Sequence, residues 1–63
     1  MNRLFKKKQI NKLEKRKKEL MHLIGNHMDS YEFTNDVKFK EKADKYANEF
    51  KEIERKIKEL EES

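Results

Sequence analysis

The fold is decided by one stretch of the sequence, residues 39–60, which reads FKEKADKYANEFKEIERKIKEL. Apolar side chains recur in it at alternating spacings of four and three residues, with no glycine or proline between them. This heptad pattern is typical of a helix that packs against another helix along a narrow seam. It predicts a long amphipathic helix that needs an apolar partner surface. The seven seam residues are Phe39, Ala43, Tyr46, Phe50, Ile53, Ile57 and Leu60.

The length and composition limit what kind of domain the chain can form. It has 63 residues, of which 48% are charged and 33% hydrophobic, and it has no cysteine. A disulfide framework and thiolate-bound zinc are therefore excluded, and a chain this short is expected to gain stability by association. His22 and His27 are five residues apart, which does not place them neatly on one helix face. We therefore expect no metal site and no cofactor.

A second heptad frame lies in the first part of the chain. One of its positions holds a lysine, Lys17, and we expect the stem of this side chain to lie along the seam with its ammonium group in water. Gly25 and Asn26 tolerate left-handed backbone, which predicts that this helix ends there and spans about residues 2–25. The apolar members of the frame are Ile10, Leu13, Leu20 and Ile24.

After this helix, the sequence predicts a connection over about residues 26–35 and a second helix over about residues 36–62. The whole chain, residues 1–63, is expected to form a single domain. Three successive residues have side chains that cap helices, and we expect one of them to begin the second helix. These are Thr34, Asn35 and Asp36. Two helices of similar length joined by one connection form an antiparallel hairpin. The predicted fold class is therefore all-α, a coiled-coil-like hairpin.

The two halves of the chain differ in charge, and this difference favours the antiparallel arrangement. Residues 1–24 hold nine Lys/Arg and two Glu, giving +7, whereas residues 25–63 hold eight Lys/Arg and eleven Asp/Glu, giving −3. In an antiparallel hairpin the lysines at positions 6–8 lie beside the glutamates at positions 59–62. Exposed pairs contribute little energy each, so the charges select orientation more than they supply stability.

The basic residues of the first helix bear on whether the protein binds nucleic acid or a membrane. They are distributed around the first helix, which favours a solvated face over a nucleic-acid or membrane-binding surface. The sequence has no apolar run long enough to cross a bilayer, and no apolar core follows the basic residues 1–8. We therefore expect no transmembrane segment, no signal peptide and a cytoplasmic location.

The apolar stripe of the second helix is wider than a single partner helix needs. Ala47 widens it beside Tyr46 and Phe50. We expect two hairpins to form a homodimer, a four-helix bundle in which this width is covered. A packed monomer that uses the connection as a lid is the alternative.

The polar run beside Ala43 is the candidate functional surface. It comprises Lys40, Glu41, Lys42 and Asp44. The alternative interpretation is an ordinary charged helix surface, which is common in helices of this composition.

The stretch LEKRKKEL at residues 13–20 resembles the first helix of the small sporulation-regulatory aspartyl-phosphate phosphatases of Gram-positive spore formers. Members of that family are short antiparallel helical hairpins, some of them dimeric. Their second helix carries a Ser-Gln-Glu-Leu-Asp signature between apolar residues. In this chain the signature falls on residues 40–44, Lys-Glu-Lys-Ala-Asp, where Asp44 is the residue that matches.

The resemblance implies hydrolysis of a phosphoaspartate on a response regulator, with a side chain orienting the attacking water. Glu41 and Asp44 are the candidate catalytic residues, because phosphoryl transfer needs placement of the nucleophile more than covalent chemistry. Lys40 is a candidate partner for the phosphoryl oxygens, a role that the family does not imply. The candidate partner-binding residues are Lys40, Lys42, Tyr46 and Ala47. A non-enzymatic interaction module (an inhibitor or adaptor) and a basic nucleic-acid or membrane binder remain the alternative functions.

Overall fold

The computed structural model describes residues 3–62, which form two long helices packed against each other. Helix α1 spans Arg3–Thr34 and helix α2 spans Val37–Glu62. The body measures 49 × 14 × 11 Å. A helix of 32 residues is about 48 Å long, so α1 sets the length of the molecule. The predicted all-α hairpin is confirmed. The predicted domain also includes Met1, Asn2 and Ser63, which lie outside the described residues.

The seam predicted on α2 is the side of the helix that faces α1. Three of its residues, Ala43, Ile53 and Ile57, are buried. From α1, Leu20 has no exposed surface and forms the centre of the core. Partly buried apolar side chains extend this core along the hairpin, namely Ile10, Leu13, Leu23, Tyr46 and Phe50. The heptad pattern thus predicted the packing faces of both helices.

Lys17 occupies the seam of α1 as expected. Its side chain is 27% exposed, and its Nζ lies 5.3 Å from the centroid of the Phe50 ring. The same ammonium group is 3.7 Å from a carboxylate oxygen of Glu54. The stem therefore covers apolar surface, while the charge meets an aromatic face and a carboxylate at the edge of the seam.

The first helix does not end at Gly25, so the predicted connection over residues 26–35 is wrong. Helical backbone continues to Thr34, and only two residues separate the helices. Gly25 has no left-handed backbone. The heptad frame also continues beyond it, because His27 and Tyr31 occupy the next two frame positions and are both partly buried. Their packing against α2 outweighs the cost of about 1 kcal/mol for a glycine inside a helix.

The turn between the helices is made by Asn35 and Asp36. Asn35 adopts a φ of 59°, and its N–H donates to the carbonyl oxygen of Tyr31 at 2.6 Å. The carboxylate of Asp36 accepts a hydrogen bond of 3.0 Å from the N–H of Lys38. Asp36 is therefore the N-cap of α2, which confirms that one of the three capping residues begins this helix. Asn35 takes the left-handed position that the sequence had suggested for Gly25.

Replacing Gly25 by alanine is expected to stabilise the protein by about 0.8–1 kcal/mol, because alanine favours an interior helical position. A Cβ at this position would meet no atom within 4 Å, so no clash opposes the gain. The free energy of unfolding in urea, followed by circular dichroism, measures the change. Asn35→Ala is the matched control and should destabilise, because asparagine tolerates the left-handed backbone of this position better than alanine does. Destabilisation by Gly25→Ala would contradict a continuous α1.

Candidate functional site

The seam of the hairpin has two sides, and two ion pairs between the helices identify them. On one side Arg16 binds Glu49 through two hydrogen bonds, of 2.8 Å from Nε and 3.2 Å from Nη2. On the other side Lys17 approaches Glu54. Residues seven apart share a helix face. Lys42 precedes Glu49 by seven residues and therefore lies on the Arg16 side.

The Lys17 side carries an apolar surface that the hairpin leaves uncovered. Met21 follows Lys17 by four residues and Met28 follows Met21 by seven, so both project to this side of α1. Met21 is 59% exposed and Met28 is 42% exposed. Ala47 of α2 precedes Glu54 by seven residues and is partly buried on the same side. We call these three residues, Met21, Met28 and Ala47, the methionine face.

Lys40 lies at one end of the methionine face. It precedes Ala47 by seven residues, and its Nζ is 5.9 Å from the centroid of the Tyr31 ring. The structure therefore brings Lys40 and Ala47, two of the predicted partner-binding residues, to one surface. It places Lys42, a third, on the opposite side of the seam. The sequence did not predict Met21 and Met28 as surface residues, although their seven-residue spacing was a signal that could have revealed them.

Tyr46, the fourth predicted partner-binding residue, packs in the seam. Its ring meets the ring of His27 edge to face, with the centroids 5.4 Å apart. His27 also lies 6.3 Å from the ring of Phe39, and its Nδ1 is 2.7 Å from the carbonyl oxygen of Leu23. That oxygen can only accept, so Nδ1 carries a proton. Tyr46 and His27 thus build the part of the core nearest the turn.

Glu41 and Asp44, the candidate catalytic residues, are exposed on α2. They are three residues apart, so they are neighbours on the helix surface. Asp44 follows Lys40 by four residues and precedes Ala47 by three, which places its carboxylate beside the methionine face. Any chemistry by carboxylates on a convex helix surface requires a docked partner to present the reacting group.

The shifted pKa values of the described surface belong to arginine–carboxylate pairs. The hydrogen bond from Arg16 holds the pKa of Glu49 below its usual value and raises the pKa of the Arg16 guanidinium. On α2, a hydrogen bond of 2.9 Å from Arg55 similarly lowers the pKa of Glu52. All four groups retain contact with water, so solvent screens these interactions. The Arg16–Glu49 pair is therefore expected to contribute little to the stability of the hairpin.

The lowered pKa of Glu49 predicts a pH dependence of stability. A carboxyl group whose pKa is lower in the folded chain stabilises the fold at pH values above its unfolded pKa. This contribution is lost as the pH falls through the folded pKa. Glu49→Gln should therefore reduce the loss of stability between neutral and acidic pH, measured by urea unfolding at each pH. Glu41→Gln is the matched control, and an equal effect of both variants would contradict the assignment.

Residues 3–62 contain neither a candidate metal site nor a membrane-spanning helix. This part of the chain has no cluster of three or more histidine or acidic side chains that could hold a metal ion. Neither α1 nor α2 is long and apolar enough to span a membrane. The basic side chains of α1 are exposed apart from Lys6, Arg16 and Lys17, which are partly buried.

The fold and its surfaces define a class of protein, the two-helix antiparallel hairpin with exposed apolar surface beside its seam. Comparison with known proteins does not narrow this class further, because no family model matches the chain and no curated protein or solved structure is significantly similar to it.

Proposed function

We propose that this chain is a small regulatory protein that acts by docking on another protein, and that it does so as a homodimer joined through the methionine face. The observation that carries the proposal is the exposure of Met21 and Met28 beside a very small core. Methionine side chains are flexible and polarisable, which suits them to protein-binding surfaces. Clustered exposed apolar side chains mark such surfaces more often than scattered ones do.

The small core supports association. Leu20, Ala43, Ile53 and Ile57 are the buried apolar residues of the described chain, and one of them is an alanine. A single core in a chain of this size rarely supplies more than about 3–5 kcal/mol. When the methionine faces of two copies pack together, the two hairpins form a four-helix bundle. The bundle gains a shared core and needs no new secondary structure. Lys40 then lies at the rim of the dimer interface.

The docking surface for a partner protein is the exposed side of α2 that carries Glu41 and Asp44. It adjoins the methionine face and points away from the seam, so it remains open in the proposed dimer. The narrower proposal is that the partner is a response regulator whose phosphoaspartate is hydrolysed. This proposal rests on the resemblance of the chain to the aspartyl-phosphate phosphatase family and on Asp44, the residue that matches the family signature. Glu41 lies about one helical turn from Asp44. The roles proposed for these carboxylates are to position the attacking water.

The narrower proposal is tested with purified, phosphorylated response regulators. We expect the chain to shorten the half-life of the phosphoaspartate on its partner. Asp44→Asn or Glu41→Gln should slow hydrolysis by about 100-fold, the effect of misplacing a reacting group. Glu61→Gln, an exposed residue at the far end of α2, is the matched control. An unchanged half-life across the panel would refute the enzymatic proposal.

The same panel separates the non-enzymatic module from the enzyme. A regulator that binds the chain with an unchanged phosphoaspartate half-life identifies an inhibitor or adaptor. In that case Glu41→Lys and Asp44→Lys should weaken binding, because charge reversal at the centre of an interface leaves a partner charge unmatched. Binding that these variants leave unchanged would place the docking surface elsewhere.

A further inference from the structure

A groove lies at the open end of the hairpin, where α1 begins and α2 ends. Its volume is about 730 Å³. Apolar side chains from both helices line it, among them Phe5, Leu13 and Leu60. Phe5 is 55% exposed, so the aromatic ring is presented to solvent. The groove is distinct from the methionine face, because Lys56 of its lining follows Glu49 by seven residues and therefore lies on the Arg16 side of the seam.

The rim of the groove is positively charged. Three lysines line it, Lys8 and Lys12 from α1 and Lys56 from α2. The acidic residue of the lining, Glu59, already accepts a hydrogen bond of 3.1 Å from Arg55. The rim of the groove therefore has a net positive charge, which a negatively charged ligand would complement.

We propose that this groove binds an acidic amphipathic helix of a partner protein. An apolar side chain of that helix enters between α1 and α2 and contacts Phe5, Leu13 and Leu60, while flanking carboxylates meet the three lysines. Helix-in-groove recognition of this kind uses anchors at spacings of three, four and seven residues. The charge complementarity selects an acidic helix over a basic one.

The shape of the groove favours a helix over other anionic partners. Leu13 and Leu60 are partly buried between the two helices. A side chain that inserts between the helices would contact them more closely than a flat membrane surface would. A small anion would leave the exposed ring of Phe5 uncovered. A helix fills the groove and covers the ring at once.

Nuclear magnetic resonance on the ¹⁵N-labelled chain tests the proposal. The probe is a synthetic peptide of about 18 residues with leucines at helical spacings and glutamates on the remaining positions. The control peptide has the same composition with its leucines scattered over all faces. We expect the first peptide to bind saturably with a dissociation constant below about 1 mM. The changes in chemical shift should be confined to residues 5–13 and 56–60. Binding should weaken as salt rises from about 0.05 to 0.5 M.

Two sets of variants complete the test. Phe5→Ala should weaken binding about tenfold, the effect of losing an aromatic anchor. Combined Lys8→Glu, Lys12→Glu and Lys56→Glu should abolish it, whereas the same change at Lys18, Lys38 and Lys51, which are exposed outside the groove, should preserve it. Circular dichroism verifies that each variant is folded.

Several results would overturn the proposal. These are no binding at about 1 mM peptide, equal binding of both peptides, or shifts that map to the methionine face. Binding of phosphatidylglycerol vesicles without binding of the peptide would assign the groove to a membrane surface instead. Concentration-dependent shifts of the groove residues in the chain alone would assign it to a second copy. The absence of peptide binding would leave the proposed dimer through the methionine face unaffected.

Discussion

Replacing Leu20 by alanine is expected to destabilise the protein by about 2–5 kcal/mol, the range for large-to-small changes in a closed core. Leu20 is the one described residue with 0% exposure, and it packs with Ile53 and Ile57 at the centre of the hairpin. A domain of this size has a total stability of about 3–5 kcal/mol from a single core. The variant should therefore be largely unfolded at 25 °C.

Helical circular dichroism at 222 nm and urea unfolding measure this effect. Leu4→Ala is the matched control, because it makes the same chemical change in the same helix at a residue that is 62% exposed. Its effect should stay within about 0.5 kcal/mol. If Leu20→Ala and Leu4→Ala unfold at the same urea concentration, the core described above is wrong.

Placing glutamates on the methionine face is expected to have the second large effect. In the proposed dimer each copy contributes Met21 and Met28, so Met21→Glu with Met28→Glu places four carboxylates in one apolar interface. Burial of a methionine side chain is worth about 1.5–3 kcal/mol, and a carboxylate opposes burial. The dimer dissociation constant should rise at least about 1000-fold. Sedimentation equilibrium measures this constant.

The matched control places the same charges on exposed apolar residues away from this face. Leu4 is 62% exposed and Phe33 is 92% exposed. Leu4→Glu with Phe33→Glu should leave the dissociation constant within a few-fold of the original, since neither residue lies on the methionine face. Equal dissociation in both double variants would show that net charge, and not the position of the methionines, controls association.

The heptad pattern of residues 39–60 was sufficient to predict the seam of α2, because seven apolar positions at regular spacing can face only one side of a helix. It also led to the correct all-α hairpin. The end of α1 could not be obtained from Gly25 alone, because the local tendency of glycine to end helices competes with packing that depends on the partner helix. His27 and Tyr31, in frame beyond the glycine, carried the missing information.

The candidate site was predictable only in part, and for a physical reason. Sequence spacing places Lys40 and Ala47 on one face of α2, but it does not reveal which residues of α1 lie next to them. That depends on the register of the two helices, which the contacts of Arg16 with Glu49 and of Lys17 with Glu54 reveal. Tyr46 was predicted both in the seam and at a partner-binding surface, and the register brings its ring against His27 within the seam.

The most direct test of the account is the mass of the unmodified chain in solution, measured by light scattering over a range of protein concentrations. Dimerisation through the methionine face predicts a mass approaching twice 7.8 kDa as the concentration rises. The stability should rise with concentration in parallel, because association and folding are linked. A mass that stays at 7.8 kDa at the highest concentration would contradict the dimer, and with it the role assigned to Met21 and Met28.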